Sequence, residues 1–191
     1  MTGIDIPISN LRNAFASRLW GDVDKKIYYS RVFRNLNTQK ELIGEVFISD
    51  KEYKEVHFDD TYHVNCFFDV ADEISNTETG LQTTREVGIV FAVRVDKIYP
   101  DLDYRAVEEL YSDVLAVIND SEGRRVIPDN IITGLNAYGD LSTANLKAYD
   151  MQPWHVFRVN TTMQVNYGCA ITYTPSQINA FEYPFPIIFY N

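Results

Sequence analysis

The stretch EVGIVFAVRV, Glu86–Val95, carries a large apolar residue at every second position from Val87 to Val95. Alternate side chains of a β-strand point to the same face of a sheet, so this pattern predicts a strand with one buried face. Pro100 follows and ends the strand, because proline lacks the N–H that a sheet ladder needs. The fold therefore contains a sheet, whose other strands must come from the flanking sequence.

Upstream of this strand, residues 54–58 and 62–70 also alternate, and the apolar residues of the second run fall on one face. A turn at residues 59–61 would set Val56 opposite Val64. That register matches apolar with apolar residues across the pair, which is how strand register is usually fixed. The pattern predicts a β-hairpin over residues 54–70.

Two helices are predicted, at residues 9–20 and 103–119, where apolar residues recur at helical spacing. The first helix has a candidate cap at Ser9 or Asn10 and a stop at Gly21. The expected apolar faces are Leu11, Phe15 and Leu19 in the first helix, and Val107, Leu110, Tyr111, Val114 and Ile118 in the second.

The remaining segments complete a predicted α+β domain over residues 1–176. Residues 120–153 contain three glycines and two prolines and predict a long loop. The order of elements favours an antiparallel sheet with two helices packed on one face. Further strands are predicted at residues 28–33, 42–48, 154–159 and 163–173.

The segment at residues 177–191 differs in composition from the domain before it. It contains INAFEYPFPIIFYN, in which Glu182 is the single charged residue. Pro184 and Pro186 exclude a helix interior, so we expect an extended aromatic C-terminal arm. Such an arm must bury its side chains on its own domain or on a neighbouring subunit. The expected anchors of this docking arm are Phe181, Tyr183, Phe185, Ile187 and Phe189.

The chain is acidic, with 27 Asp and Glu against 17 Lys and Arg and a net charge of −10. The acids concentrate at residues 50–73 and 101–122. This balance argues against binding to nucleic-acid phosphates or anionic membranes, and it is compatible with DNA sliding past the surface. Arg124 and Arg125 form the only adjacent arginine pair, which is either simply exposed or a charge contact with a neighbouring acidic subunit.

One cluster has the residue types of a metal site. In the predicted hairpin, His57 and His63 would face each other across the strand pair, with Asp59 or Asp60 as a third ligand. The alternative is a polar, solvated hairpin face with an acidic turn, and the spacing supplies no fourth ligand. The second interpretation is favoured, and no metal or other cofactor is expected.

Other candidate chemistry is equally sparse. Cys66 or Cys169 paired with His155 would make a thiol nucleophile, but both cysteines lie in alternating apolar runs, where cysteine behaves as a small core residue. Paired carboxylates are conceivable among Asp69, Asp72, Glu73, Glu108 and Glu109. Glu108 and Glu109 are adjacent on a helix, however, so their side chains diverge by about 100°. The sequence therefore favours a protein without catalytic activity. A small metal- or thiol-dependent enzyme and a cytosolic binding module are the alternatives.

The order of elements and three segments resemble the tail terminators and related neck or ring proteins at the head–tail junction of tailed bacteriophages. The segments are KEYKEVHFDDTYHVNCFFDVADE, DYRAVEELYSDVLAVIND and MQPWHVFRVNTTMQVNYGCAITY. Proteins of that family share an N-terminal helix, an antiparallel sheet, a helix inserted before the last strands, and a long loop. The aromatic arm is not general in the family and looks like an addition found in a larger virion of the crAss-like kind.

The resemblance implies a structural virion protein that is made in the host cytoplasm and forms a ring, commonly hexameric or twelvefold. Its partners would be further copies of itself and neighbouring portal, neck or tail proteins. DNA would pass through the lumen without specific binding, in keeping with the acidic charge. The chain has neither a basic-then-apolar leader nor an apolar run of spanning length, so no membrane partner is expected.

Overall fold

The computed structural model is an α+β fold in which helices pack on one mostly antiparallel sheet, as the sequence predicts. It describes residues 4–20, 28–47, 52–56, 61–71, 74–76, 82–101, 106–122, 125–143, 146 and 153–166. The helices are α1 (Asp5–Arg18), α2 (Val95–Ile98) and α3 (Val107–Glu122), with a 310 helix at Gly134–Tyr138. The strands are β1 (Tyr28–Leu36), β2 (Leu42–Phe47), β3 (Tyr53–Glu55), β4 (Val64–Val70), β5 (Ser75–Asn76), β6 (Gln82–Arg94), β7 (Val126–Thr133) and β8 (Trp154–Asn166).

The sheet has the strand order β3-β2-β1-β4-β6-β8-β7, and β5 pairs separately with β6. Every described pair is antiparallel except β1 and β4, which run parallel. The longest pairing joins β6 to β8 from Gln82 opposite Asn166 to Arg94 opposite Trp154. The stretch Glu86–Arg94 therefore lies at the centre of the sheet, between β4 and β8, and Val95 begins α2.

The main core lies between the sheet and two helices, α1 and α3, which pack on the same face. Phe91 of β6 is fully buried at its centre, with its ring 5.4 Å from Phe15 of α1 and 5.1 Å from Phe157 of β8. The prediction of two helices on one face is confirmed. The predicted face of β6 is buried here as well, namely Val87, Ile89, Phe91 and Val93, together with Val95, the first residue of α2.

A smaller core covers the opposite face of the sheet. Ala137 and Tyr138 of the 310 helix pack there with Leu141 and Leu146 against alternate residues of the strands. The strand residues are Val32, Val46, Phe67, Val90, Ala92 and Val156. Both faces of the central strands are therefore buried, which explains why β4 reads as a nearly continuous apolar run.

Helix α1 begins at Asp5, earlier than predicted, and the expected cap at Ser9 or Asn10 is wrong. Pro7 is tolerated because it lies in the first turn, where backbone N–H groups have no partner within the helix. The apolar face was predicted correctly, and beyond the helix Trp20 Nε1 donates a hydrogen bond of 3.0 Å to Asp113 of α3. None of the helices in the described ranges is long and apolar enough to span a bilayer.

The predicted hairpin over residues 54–70 is wrong. Strand β3 pairs with β2, so that Lys54 lies opposite Val46, whereas β4 lies between β1 and β6 with Val64 opposite Val93. The second segment buries the expected face in the main core, but Val56 packs in the smaller core on the opposite face from Val64. Alternation fixes which face of a strand is buried, and it leaves open which of several apolar strands lies beside it.

The expected long loop at residues 120–153 is also partly wrong, because it contains strand β7 along the edge of β8. Pro128 is accommodated by an irregularity in the pairing between Pro128 and Asn130, as is usual for proline on an edge strand. The two strands predicted at 154–159 and 163–173 form one continuous strand to Asn166. Residues 167–191, including the arm, lie outside the described residues.

Candidate functional site

Three aromatic side chains form a contiguous exposed surface near the β3 edge of the sheet. They are Phe33 of β1, Phe47 of β2 and Tyr53 of β3, which are 37%, 53% and 50% exposed. The Tyr53 ring contacts both others edge to face, at 5.6 Å from Phe33 and 5.5 Å from Phe47. We call these three residues the aromatic surface. Contacting exposed aromatic rings are typical of interaction sites.

The aromatic surface lies on the face of the sheet that carries the helices. Phe47 is paired with Tyr53, and the adjacent Val46 points to the opposite face, into the smaller core. Helices α1 and α3 cover β4, β6 and β8, so this part of β1 to β3 lies beyond them. Arg31 marks the border, since its guanidinium contacts the Asp5 carboxylate at the start of α1 and lies 4.8 Å over the Phe33 ring.

Beside the aromatic surface, β3 is the last strand of the described sheet on that side. Val56 donates a backbone hydrogen bond of 2.8 Å to the carbonyl of Gly44 in β2. Because backbone groups alternate in direction along a strand, the N–H and C=O of Tyr53 point away from β2, towards the open side. The edge therefore offers main-chain groups next to exposed aromatic rings.

A buried network of charges lies on the opposite face of the sheet. The Asp69 carboxylate of β4 is fully buried and accepts hydrogen bonds from Arg34 Nε and Nη2 at 2.8 and 2.9 Å, and from Arg158 Nη1 at 2.8 Å. The two arginine side chains are only 17% and 12% exposed. A single carboxylate therefore holds the guanidinium groups of β1 and β8 across the intervening strands.

Position 88 is glycine because the Arg158 side chain crosses over it. A Cβ atom there would lie 2.0 Å from Cζ of Arg158, which is held in place by Asp69 and by Asn160 Oδ1 at 2.6 Å from Nε. The network borders a cleft of about 450 Å³. Most of the residues that line it are polar or charged, including Arg34, Glu86, Asp129, Asn130, Asp140, Arg158 and Asn160.

The ion pairs of this cleft limit its ability to bind an anion. Both guanidinium groups are already bound to Asp69, and Glu86, Asp129 and Asp140 add negative charge at the lining. An added anion would have to compete with a buried carboxylate and with these acids. We therefore assign the network a structural role: it ties β1, β4 and β8 together beneath the cleft.

The residues that the sequence suggested for subunit contacts are the five arm anchors and the pair of adjacent arginines. The five arm anchors, Phe181, Tyr183, Phe185, Ile187 and Phe189, and Arg124 lie outside the described residues. Arg125 is exposed immediately before β7. Its charge contact with a neighbouring subunit stays a prediction. The aromatic surface was not foreseen. Its signal was present, since Phe33 and Phe47 stand next to Val32 and Val46 and so make both faces of β1 and β2 apolar.

The hairpin on which the candidate metal site depends is not formed. The hairpin that would have set His57 opposite His63 is replaced by separate strands, and His57, Asp59 and Asp60 lie outside the described residues. Within the ranges that the structure describes, no group of three or more His, Cys, Asp or Glu side chains is placed to hold a metal ion.

The thiol pair is contradicted for Cys66. Cys66 is a free, buried thiol on β4, and His155 is on β8, with β6 between the two strands. Two sheet spacings separate them by about 10 Å, too far for a hydrogen bond. His155 Nε2 instead lies 2.9 Å from the hydroxyl of Tyr111. Burial raises the pKa of the Cys66 thiol, which disfavours the thiolate, the nucleophilic form.

We expect the Cys66 thiol to be unreactive in the folded protein. In a Cys169→Ser variant, a thiol reagent such as Ellman's reagent at pH 8 should label less than a tenth of the chains until urea unfolds them. Labelling of the native variant at the rate of an exposed thiol would contradict the buried position and revive a thiol-dependent activity. Wild-type protein serves as the comparison, because any extra labelling there reports on Cys169.

No protein-family model matches the sequence, and the search of curated proteins finds no match. The function is therefore inferred from the residues, the fold and the two features described above. Of these, the aromatic surface is exposed and the charge network is largely buried, so the aromatic surface is the candidate functional site.

Proposed function

We propose that this chain is a structural virion protein that forms an oligomeric ring at the head–tail junction or in the tail of a tailed bacteriophage. The proposal rests on one observation above all, the aromatic surface beside the open side of β3. Aromatic residues are enriched in protein–protein interfaces, and a contiguous set of exposed rings gains free energy when a partner removes it from water. The proposed role is assembly, without a catalytic step.

The charge of the chain supports a position around DNA. Acids outnumber basic residues by ten, and the basic residues nearest the cleft, Arg34 and Arg158, are bound to Asp69. A ring of such subunits would present a negative surface to DNA, which reduces adhesion during passage. The α+β fold and its order of elements agree with the resemblance to tail terminators and neck ring proteins.

The test is the mass of the purified full-length chain, measured by light scattering over a range of concentrations. We expect a closed oligomer of several 22.0 kDa subunits, visible as a ring by electron microscopy. A chain truncated after Ser176 is expected to lose that assembly, because the arm is the predicted docking segment. A urea unfolding curve for the truncated chain is needed to show that its domain is still folded.

The outcomes separate the three classes of function. A full-length chain that remains monomeric, alone and with portal, neck or tail proteins, would contradict the ring. Truncation that unfolds the monomer without changing its mass would favour a binding module whose arm covers its own sheet. A stoichiometric transition metal that is lost in a His63→Ala variant would favour the enzyme.

A further inference from the structure

An extended arm would present its apolar side chains on one face. In an extended arm, the side chains of Phe181, Tyr183, Phe185, Ile187 and Phe189 would lie on one face about 6.6 Å apart. The rings of the aromatic surface are 5.5 and 5.6 Å apart across β1, β2 and β3. An arm that runs along β3 would therefore bring its apolar face next to Tyr53, the ring nearest the edge of the sheet.

The prolines of the arm also fit the open side of β3. Consecutive residues of a strand direct their backbone groups to opposite sides, so Pro184 and Pro186 lack an N–H on the same side. The other side keeps the N–H groups of residues 183, 185 and 187, and those residues carry the apolar side chains. An arm placed along β3 would direct these N–H groups to the edge and the proline side to solvent.

The single charge of the arm is consistent with the same placement. Glu182 is an even-numbered residue and would point to the opposite face of the sheet from the aromatic rings. On β3 the residue that points to that face is Lys54, which is exposed. The added strand would thus carry its carboxylate on the face that already carries a basic residue.

The positions of the two elements favour a neighbouring copy as the source of the arm. The arm follows β8, and five strand spacings, about 24 Å, separate β8 from β3 in the sheet. On the face with the aromatic surface, helices α1 and α3 lie over β4 and β6, two of the four strands between them. If each subunit donates its arm from the β8 side and accepts an arm at β3, successive subunits contact head to tail. Such a contact closes into a ring when the rotation between neighbouring subunits brings the last subunit back to the first.

We infer that the aromatic surface and the edge of β3 form the docking site for the C-terminal arm, residues 177–191, of a second copy of this chain. The arm adds to β3 as an extended strand and packs its aromatic side chains against Tyr53, the ring that contacts Phe33 and Phe47. This inference rests on the proposed function and deepens it, because it names the two surfaces that join successive subunits of the ring.

The test uses two full-length variants and their mixture. The surface variant carries Phe47→Glu and Tyr53→Glu, and the arm variant carries Phe181→Ser, Phe185→Ser and Phe189→Ser. We expect each variant to be monomeric alone, by light scattering. Their mixture should form a species of two chains, twice the 22.0 kDa monomer, because only one working arm and one working surface remain. Formation of that species also shows that both variants are folded.

The control variant is Leu135→Glu, which places the same charge at an exposed apolar residue, 58% exposed, away from the aromatic surface. It should assemble as the wild type does. If wild type and the surface variant assemble equally well, the docking site is wrong and the proposed ring stands. A mixture that stays monomeric, with both variants less stable than wild type, would place the arm on its own domain and overturn the inference. A monomeric wild type would overturn the proposed function itself.

Discussion

Replacing Asp69 with alanine is expected to lower the free energy of unfolding by about 3–5 kcal/mol, because it leaves two largely buried arginines without their carboxylate. For a domain of this size, that loss lowers the melting temperature by on the order of 10 °C. Urea unfolding followed by circular dichroism measures the free energy, and a thermal melt measures the temperature. The effect is large because Asp69 is fully buried and is the shared partner of both guanidinium groups.

The matched control is Asp120→Ala, which removes a carboxylate from an ion pair with Arg18 on the surface. Both side chains of that pair are about half exposed or more, so we expect a loss of about 1 kcal/mol or less. Equal losses in the two variants would contradict the assignment of the Asp69 network as a structural tie. An Asp69→Asn variant keeps the shape, and it should lie between Asp69→Ala and wild type.

Phe91→Ala is expected to have the second large effect, a loss of about 3–5 kcal/mol in the free energy of unfolding. Phe91 is fully buried between Phe15 of α1 and Phe157 of β8, so its removal opens a cavity between the helix layer and the central strands. The loss includes the transfer of the side chain to water and the unfilled space that remains. Urea unfolding measures it, in the monomeric arm variant so that assembly does not contribute.

Phe47→Ala in the same background is the comparison, because it removes the same side chain from an exposed position. We expect a change within about 0.5 kcal/mol, as for most surface substitutions. The pair distinguishes a phenylalanine that holds the fold together from one that is free to bind a partner. A loss at Phe47 as large as that at Phe91 would mean that the aromatic surface belongs to the core of the monomer.

Local patterns predicted the elements of the fold better than their pairing. The period of two at Val87–Val95 and the helical spacing around Leu110 each identify a buried face, because burial acts on the residues of one element at a time. The hairpin prediction was wrong because several strands have equivalent apolar faces. Which of them pair with each other depends on the whole sheet. Strand β7 was missed because Pro128 is a loop signal that an edge strand can accommodate at an irregular pair.

The charge network was out of reach of sequence reasoning for a different reason. Arg34 and Arg158 lie 35 and 89 residues from Asp69, and only the strand order places them together. A partial signal existed, since Asp69 is the one charged residue in the strand VNCFFDV. A carboxylate in such a run requires a buried partner. The sequence did not identify which of the chain's basic residues supplies it.

The pairing of β6 with β8 sets the timing of folding during synthesis. The ladder joins residues that are about 60 to 84 positions apart, so it cannot form until the ribosome has released β8. That happens about 70 residues after β6 is complete, or roughly 4–14 s later at cellular translation rates. During this interval β6, apolar on both faces, lacks the neighbour on one of its edges. The nascent chain is then open to pairing with other chains, and its yield in the cell should depend on chaperones that cover this strand until β8 arrives.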